Sequence, residues 1–235
     1  MIYLNLISGP RNISTAIMYS FAQRSDTEVV DEPFYAVYLS KTQAVHPGKK
    51  DVLNAQSSDE DVVKRELFRE RSKPVLFIKN MAHHIEVMND DFLSQCTNIF
   101  LIRDPKQLIA SYAQVIDNPT MRDIGVQHEY EMFEKIAGQK PIVIDSGLLL
   151  QNPGSVLKQA CEKAGIQFEN QMLRWQAGPK TYDGIWAPHW YANVHRTTGF
   201  EKQATSDRPL PKHLEPLNET ASVYYQKLLQ HALKP

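Results

Sequence analysis

The sequence predicts an α/β protein with a mainly parallel sheet flanked by helices, all 235 residues forming one domain. Three observations predict it. Short apolar runs recur at 2–7, 74–78, 98–102 and 141–144, and most are continuous rather than alternating. That is how strands read when helices cover both faces of a sheet. Helix-like segments with start signals separate the runs. The length suits one substantial core better than two.

The elements follow in order. A weaker strand, 28–30, ends in DEP, and helical patterns occupy 14–24, 59–71, 84–94, 105–117, 120–138 and 153–165. Asp104 before Pro105 and Asn152 before Pro153 read as caps, and Thr120 with Asp123 three residues on reads as a helix start. Gly138 and Gly165 stand where helices stop. Residues 41–58 are polar and read as a mobile loop or lid. The stretch 175–215 carries Trp175, Trp186 and Trp190 with little periodicity, and reads as functional or draped over the core. A last helix at 216–233 aligns Leu217, Ala221, Tyr224 and Leu228 on one stripe.

A net charge of −1 gives no field that would draw the chain to nucleic acid or an anionic membrane. Cys96 and Cys161 make no disulfide framework and read as buried small residues. No signal peptide or spanning run is evident, so a cytoplasmic, reduced protein is expected.

In sheets of this kind ligands bind beyond the C-terminal ends of the strands. The first run leads into LISGPRNIST and then directly into a helix. A helix N-terminus offers unpaired amides and the positive end of a dipole, both suited to phosphate. Ser14 and Thr15 add hydroxyl donors, and Arg11 adds a charged fork. The plainer alternative is a strand–helix turn with Ser14 as N-cap. A Walker A spacing from Gly9 requires glycine at 14 and lysine at 15; serine and threonine stand there. That argues against a phosphotransferase using ATP.

The loop resembles the 5′-phosphosulfate loop of sulfotransferases that use 3′-phosphoadenosine 5′-phosphosulfate. That loop runs Pro, Lys or Arg, Ser, Gly and two hydroxyl residues. Pro10, Arg11, Ser14 and Thr15 match; Asn12 and Ile13 depart, so the loop glycine is missing. After the fourth run, IRDPKQLIASYAQ is similar to the family segment whose arginine and a serine eight residues on bind the donor's 3′-phosphate. Arg103 and Ser111 have that spacing. Ser111 lies roughly 9 Å along a helix from Pro105, so one phosphate can bridge the pair. The segment DSGLLLQNPGSVLKQACEKAGIQF adds to the likeness, whereas the tail from about 175 lacks the Arg-Lys-Gly donor loop of the cytosolic members.

The resemblance implies a P-loop-like fold of sulfotransferase type, with 3′-phosphoadenosine 5′-phosphosulfate as co-substrate, adenosine 3′,5′-bisphosphate as product and no metal. Donor contacts then fall to Arg11, Asn12, Ser14, Thr15, Arg103 and Ser111. Independently of the resemblance, the late aromatic segment reads either as closing over the donor, with Arg196 near phosphate, or as a loop packed on the sheet. Sulfuryl transfer also needs a base and cationic charge near the leaving group. Glu32 matches the glutamate that carbohydrate and protein-tyrosine sulfotransferases place after the first helix, with Asp31 beside it as fallback. Its plainer reading is a surface carboxylate ahead of a helix begun by Pro33. Lys79 ends the third run, where cytosolic sulfotransferases carry a lysine two residues before a catalytic histidine. Here position 81 is Met81 and the histidines are His83 and His84, alternative bases if the loop turns them inward and solvent-facing otherwise. The expected acceptor is a small molecule with a hydroxyl, or less readily an amine, in a pocket built by 41–58 and the aromatic segment. A non-catalytic module binding the donor or its bisphosphate product is the alternative reading.

Overall fold

The computed structural model describes residues 1–201 and 208–235; the part of the expected aromatic segment at 202–207 lies outside them. Five strands form one parallel sheet in the order β2-β3-β1-β4-β5. They are β1 (Ile2–Ser8), β2 (Thr27–Asp31), β3 (Val75–Met81), β4 (Thr97–Ile102) and β5 (Ile142–Asp145). Each apolar run is a strand, and most extend into polar residues at their C-terminal ends, such as Ser8, Asn80 and Asp145.

Alternate residues of each strand enter separate cores, as the period of two requires. Leu4, Leu6, Phe77, Ile99, Leu101 and Ile144 pack under α1 (Ser14–Phe21) and the later helix Pro153–Lys163. Ile7, Leu76, Ile78, Phe100 and Val143 face the opposite layer, which includes Leu108, Met132 and Leu228. Fully burying one such side chain is worth about 1.5–3 kcal/mol. Inside this apolar sheet runs one polar thread. Asn80 Nδ2 donates to Asn5 Oδ1 at 2.7 Å, and Asn5 Nδ2 donates to Asn98 Oδ1 at 2.9 Å. All three asparagines are buried, so a register slip would orphan them.

The helical pieces are shorter and more broken than the sequence predicts. After α1 come α2 (Tyr35–Lys41), α3 (Lys49–Ala55) and α4 (Glu60–Leu67). The polar stretch 41–58 is thus partly helical, with Val52 buried against α2. The helix expected at 84–94 is instead one turn, α5 (Ala82–Ile85), followed by a 3₁₀ segment, Asp91–Gln95. Asn89 accepts from the Asp91 amide at 2.9 Å, a local bond that competes with helix continuation. Next is α6 (Pro105–Tyr112), whose Asp104 cap accepts from the Gln107 amide at 3.1 Å. The pattern at 120–138 divides at Gly125, with φ of 76°, into α7 (Met121–Ile124) and α8 (Val126–Lys135). Thr120 and Asp123 form the reciprocal cap of α7. The chain continues with α9 (Ser146–Gln151), α10 (Pro153–Lys163), α11 (Ala187–Trp190) and α12 (Glu215–Leu229). Ala221, Tyr225 and Leu228 are the buried stripe of α12.

Strand order places the chemistry. Going from β3 to β4 the chain passes over β1, so the direction of winding reverses there. The crevice beyond the ends of β1 and β4 is where open parallel sheets bind ligands. The loop Pro10–Thr15 follows β1, and Arg103 follows β4.

Candidate active site

Beyond the strand ends lies a cavity of about 420 Å³. Arg11, Asn12, Ser14, Thr15, Glu32, Lys79, His83, His84, Arg103 and Ser111 all line it. Arg196 does not. It sits exposed on the 3₁₀ turn Val194–Arg196, and the third arginine of the cavity is Arg208. Arg208 follows the segment 202–207 and belongs to no recognisable motif.

Two loops about a hundred residues apart meet at one end. Arg11 Nε donates to Ser111 Oγ at 3.2 Å, and Arg103 Nη1 donates to the Arg11 carbonyl at 2.6 Å. Arg103 also reaches Gln107 Oε1 at 3.4 Å. These acceptors are neutral. Burial pulls the Arg11 pKa down with Arg208 assisting, and burial with Arg11 does the same to Arg103. Arg11 and Arg103, whose hydrogen-bond acceptors are neutral, and Arg208 on the same cavity make a strong site for an anion with two charged groups.

The loop backbone serves the same end. Arg11 and Ile13 adopt φ of 56° and 51°, so left-handed residues alternate with ordinary ones. Such turns gather N–H groups into an anion-binding concavity. Ile13 occupies the conformation that a glycine takes freely, and a β-branched residue there stores on the order of 1–3 kcal/mol. Its side chain packs on the core under α1, which offsets part of that. Helix α1 starts with neither a side-chain cap nor an acidic residue in its first turn. Asn12 points inward: its side-chain nitrogen bonds the Leu101 carbonyl, stitching the loop to β4. Gly9 is required by contact, since a Cβ there would lie 2.3 Å from the Ile124 carbonyl oxygen.

At the other end β2 and β3 build a buried charge cluster. Their register pairs Asp31 with Lys79, and the Glu32 amide donates to the Lys79 carbonyl at 2.8 Å. Lys79 Nζ then reaches Asp31 Oδ1 at 2.9 Å, Glu32 Oε1 at 2.5 Å and the Tyr191 hydroxyl at 2.8 Å. All three of its protons are directed to these partners. Burial works against the Lys79 charge, but Asp31 and Glu32 outweigh it and hold the ammonium above the usual lysine value. Burial pushes the Glu32 carboxyl above its ordinary range, Asp31 adds to that, and Lys79 opposes it. Glu32 itself sits at φ of 39°. Its side chain is buried rather than on the surface, which corrects the plainer reading of a solvated carboxylate.

Tyr191 ties the aromatic segment to this cluster. Its hydroxyl donates to Asp31 Oδ2 at 2.7 Å and accepts from Trp186 Nε1 at 3.1 Å, while the Gly184 amide donates to Asp31 Oδ2 at 3.0 Å. Asp183 anchors the same segment, accepting from the Tyr19 hydroxyl at 2.6 Å and lying 3.0 Å from His195 Nε2. The sequence assigns a role to neither Tyr191 nor Asp183; aromatic density is the only signal it offers.

His83 and His84 are buried, against the solvent-facing alternative, because α5 tucks them beneath α2. Tyr35 stacks on His84 with centroids 4.5 Å apart, and Tyr38 meets His83 edge-on at 4.9 Å. Burial drives the His83 pKa down to about 3 and that of His84 well below normal, so both rings are neutral. His84 Nδ1 stands 4.0 Å from Glu32 Oε2, too far for a direct hydrogen bond. Among the described residues no group of three or more His, Cys, Asp or Glu could hold a metal, and no helix is long and apolar enough to cross a membrane.

This geometry agrees with what the chain resembles. The sulfotransferase domain family matches residues 2–232, and the chain belongs to that family. Among solved structures, mouse sulfotransferase SULT7A1 complexed with PAP superposes with a TM-score of 0.59 at 13% identity, covering 99% of this chain and 90% of that one. The sulfotransferase domain from the curacin biosynthetic pathway gives 0.55 at 15%, covering 93% and 96%. At such identities these two share the fold. Two Arabidopsis thaliana proteins, branched-chain-amino-acid aminotransferase-like proteins 1 and 2, are 35% and 32% identical over 95% and 92% of this chain. The chain spans about two fifths of their length (41% and 40%).

Proposed function

We propose that the chain transfers a sulfuryl group from 3′-phosphoadenosine 5′-phosphosulfate to a hydroxyl, or less readily an amine, of a small molecule. One observation carries the reading: the Arg11–Ser111–Arg103 cluster and the Glu32–Lys79 pair share one cavity. The residues fit such a donor. The uncapped start of α1 with Ser14 and Thr15, together with Arg11, would hold the 5′-phosphosulfate. Arg103 and Ser111 would hold the 3′-phosphate. The mouse sulfotransferase of the same fold is complexed with PAP, which supports a bisphosphate nucleotide as the ligand of this chain too. The names of the Arabidopsis relatives describe proteins much longer than this chain.

Glu32 is the base in this reading. Lys79 donates to Oε1 at 2.5 Å, which leaves Oε2 for the acceptor. A raised carboxyl pKa brings it toward the range where proton transfer is efficient. Rings as weakly basic as His83 and His84 offer far less driving force. Lys79, with its protons directed to Asp31, Glu32 and Tyr191, acts by holding Glu32 charged and aligned. In the transfer the acceptor oxygen bonds to sulfur and the bond from sulfur to the 5′-phosphate oxygen breaks. The acceptor proton passes to Glu32, and the bisphosphate leaves with the bonding pair near Arg11.

Thermal shift with adenosine 3′,5′-bisphosphate and with ATP plus Mg²⁺ tests the donor. The bisphosphate is expected to stabilise the chain more, by an amount that shrinks in Arg103→Ala; a preference for Mg·ATP overturns the reading. Glu32→Ala should bind the bisphosphate and lose turnover.

A further inference from the structure

Resting on the sulfotransferase reading, we propose that Tyr191 is a positioning residue for that reaction: its hydroxyl satisfies Asp31 and so leaves Lys79 to hold Glu32 as the base. Two buried carboxylates here share one ammonium. Asp31 Oδ1 stands 2.9 Å from Lys79 Nζ and Glu32 Oε1 stands 2.5 Å from it. Only Glu32 lines the cavity; Asp31 does not. Without another donor the two compete for Lys79, and the one that loses takes up a proton.

Asp31 is satisfied from its other side. The Tyr191 hydroxyl donates to Asp31 Oδ2 at 2.7 Å, and the Gly184 amide joins it at 3.0 Å. The same hydroxyl accepts from Lys79 Nζ at 2.8 Å and from Trp186 Nε1 at 3.1 Å. A hydroxyl has one proton and two lone pairs, so every bond it can make is made. No proton remains for Glu32 Oε1, 3.4 Å away. Lys79 is therefore fixed at two of its protons, and the third is aimed at Glu32.

The segment 184–191 is shaped to bring these groups together. The Tyr191 amide donates to the Ala187 carbonyl at 2.8 Å, and the Ala187 amide to the Gly184 carbonyl at 2.9 Å. The chain thus folds back on itself and presents Gly184 and Tyr191 to one carboxylate. The indole of Trp186 lies where a side chain at 184 would be, since a Cβ there would come within 2.0 Å of it. Only glycine leaves that room while its amide reaches Asp31. Tyr191 and Trp186 are 5% and 2% exposed, so these bonds are shielded from water.

The other titratable groups acting at Glu32 are His84 of α5, Tyr35 of α2 and Tyr112 of α6. Burial keeps both tyrosines protonated and His84 neutral. The balance among Asp31, Lys79 and Tyr191 is then what sets the charge of Glu32.

The test follows the side-chain carboxyl NMR signals of the full chain, labelled at glutamate and saturated with adenosine 3′,5′-bisphosphate, between about pH 4 and 9. The Glu32 signal is the one lost in Glu32→Gln. Tyr191→Phe keeps the ring and removes the hydroxyl. Asp31 then draws Lys79 toward itself, and the Glu32 midpoint is expected to rise by about one pH unit. In an Asp31→Asn background the competitor is gone, and the same change is expected to move the midpoint by less than about a third of that. No rise in the parent background, or an equal rise in both, overturns the proposal. Where Tyr191→Phe does not fold, Asp31→Asn decides alone: the Glu32 midpoint should fall by about one unit, and an unchanged midpoint overturns the proposal. Tyr191→Phe should bind the bisphosphate within about twofold of the parent, because Arg11 and Arg103 follow other strands; a tenfold loss would place Tyr191 in the donor site and overturn its positioning role. A parent chain that does not bind the bisphosphate removes the sulfotransferase reading, a result separate from any shift in the Glu32 midpoint.

Discussion

Replacing Lys79 with methionine exposes how the charge cluster is held together. The side chain is 1% exposed and joins two carboxylates, those of Asp31 and Glu32, at 2.9 and 2.5 Å. Methionine fills similar volume, so the loss is electrostatic. Removing one member of a buried ion pair costs about 3–5 kcal/mol, because the remaining charge has no partner. Here Asp31 keeps the Tyr191 hydroxyl and the Gly184 amide, whereas Glu32 loses its direct donor, since Tyr191 has one proton and directs it to Asp31. The loss should therefore depend on pH. Lys79 opposes the upward shift of the Glu32 pKa, so its removal raises that pKa further. A carboxyl whose folded pKa exceeds its unfolded value, about 4.3, loses stability as pH rises between the two. Lys79→Met is thus expected to lose about 3–5 kcal/mol at pH 8 and clearly less at pH 5. In Lys79→Met/Glu32→Gln the uncompensated charge is gone, and about half of the loss should return. Urea unfolding at both pH values, with the slope unchanged, measures these differences. A loss below about 1 kcal/mol, or one equal at pH 5 and 8, would refute the reasoning.

Three further outcomes are expected. Gly9→Ala places a Cβ against the Ile124 carbonyl and should cost about 1–3 kcal/mol in urea unfolding, with weaker bisphosphate binding as the loop shifts. Glu129 of α8 is buried with Oε1 unpartnered, and burial holds its pKa well above normal. The parent should therefore lose stability as pH rises above about 4.3, and Glu129→Gln should flatten that fall in urea unfolding at pH 5 and 8. In an acceptor assay, kcat/KM should rise with pH along a limb whose midpoint lies above the ordinary carboxylate value, and Glu32→Gln should abolish about 10²- to 10⁴-fold of the rate.

The sheet was legible because β1, β3, β4 and β5 are short, largely apolar and mostly buried; the half-buried edge strand β2 was the weaker signal. Strand ends were less so, since Asn80 and Asp145 are polar yet still paired. Helix lengths were overestimated at Asn89, where a side chain competes for a backbone amide, and at Gly125, where a left-handed turn divides the pattern. The anion-binding loops were readable from their positions after β1 and β4 and from the spacing of Arg103 and Ser111. That Ile13 takes a left-handed conformation was not, because only tertiary packing holds a β-branched residue there. Arg196 and Arg208 show the limit most plainly. Both are arginines in an aperiodic tail, and only the path of that tail decides which one reaches the cavity. His83 and His84 sit in a segment whose polarity suggests exposure, yet packing by α2 buries them. Tyr191 was one aromatic among many until its hydroxyl met Asp31.

In the proposed donor site Arg103 and Ser111 recognise a 3′-phosphate on a nucleotide whose 5′ end lies at Pro10–Thr15. Isothermal titration with adenosine 3′,5′-bisphosphate and adenosine 5′-monophosphate isolates that one group. The bisphosphate is expected to bind about tenfold or more tightly, and Arg103→Ala is expected to erase the difference, since a hydrogen bond to a charged group is worth about 1.5–3 kcal/mol. Equal affinity of the two nucleotides in the parent chain would contradict it.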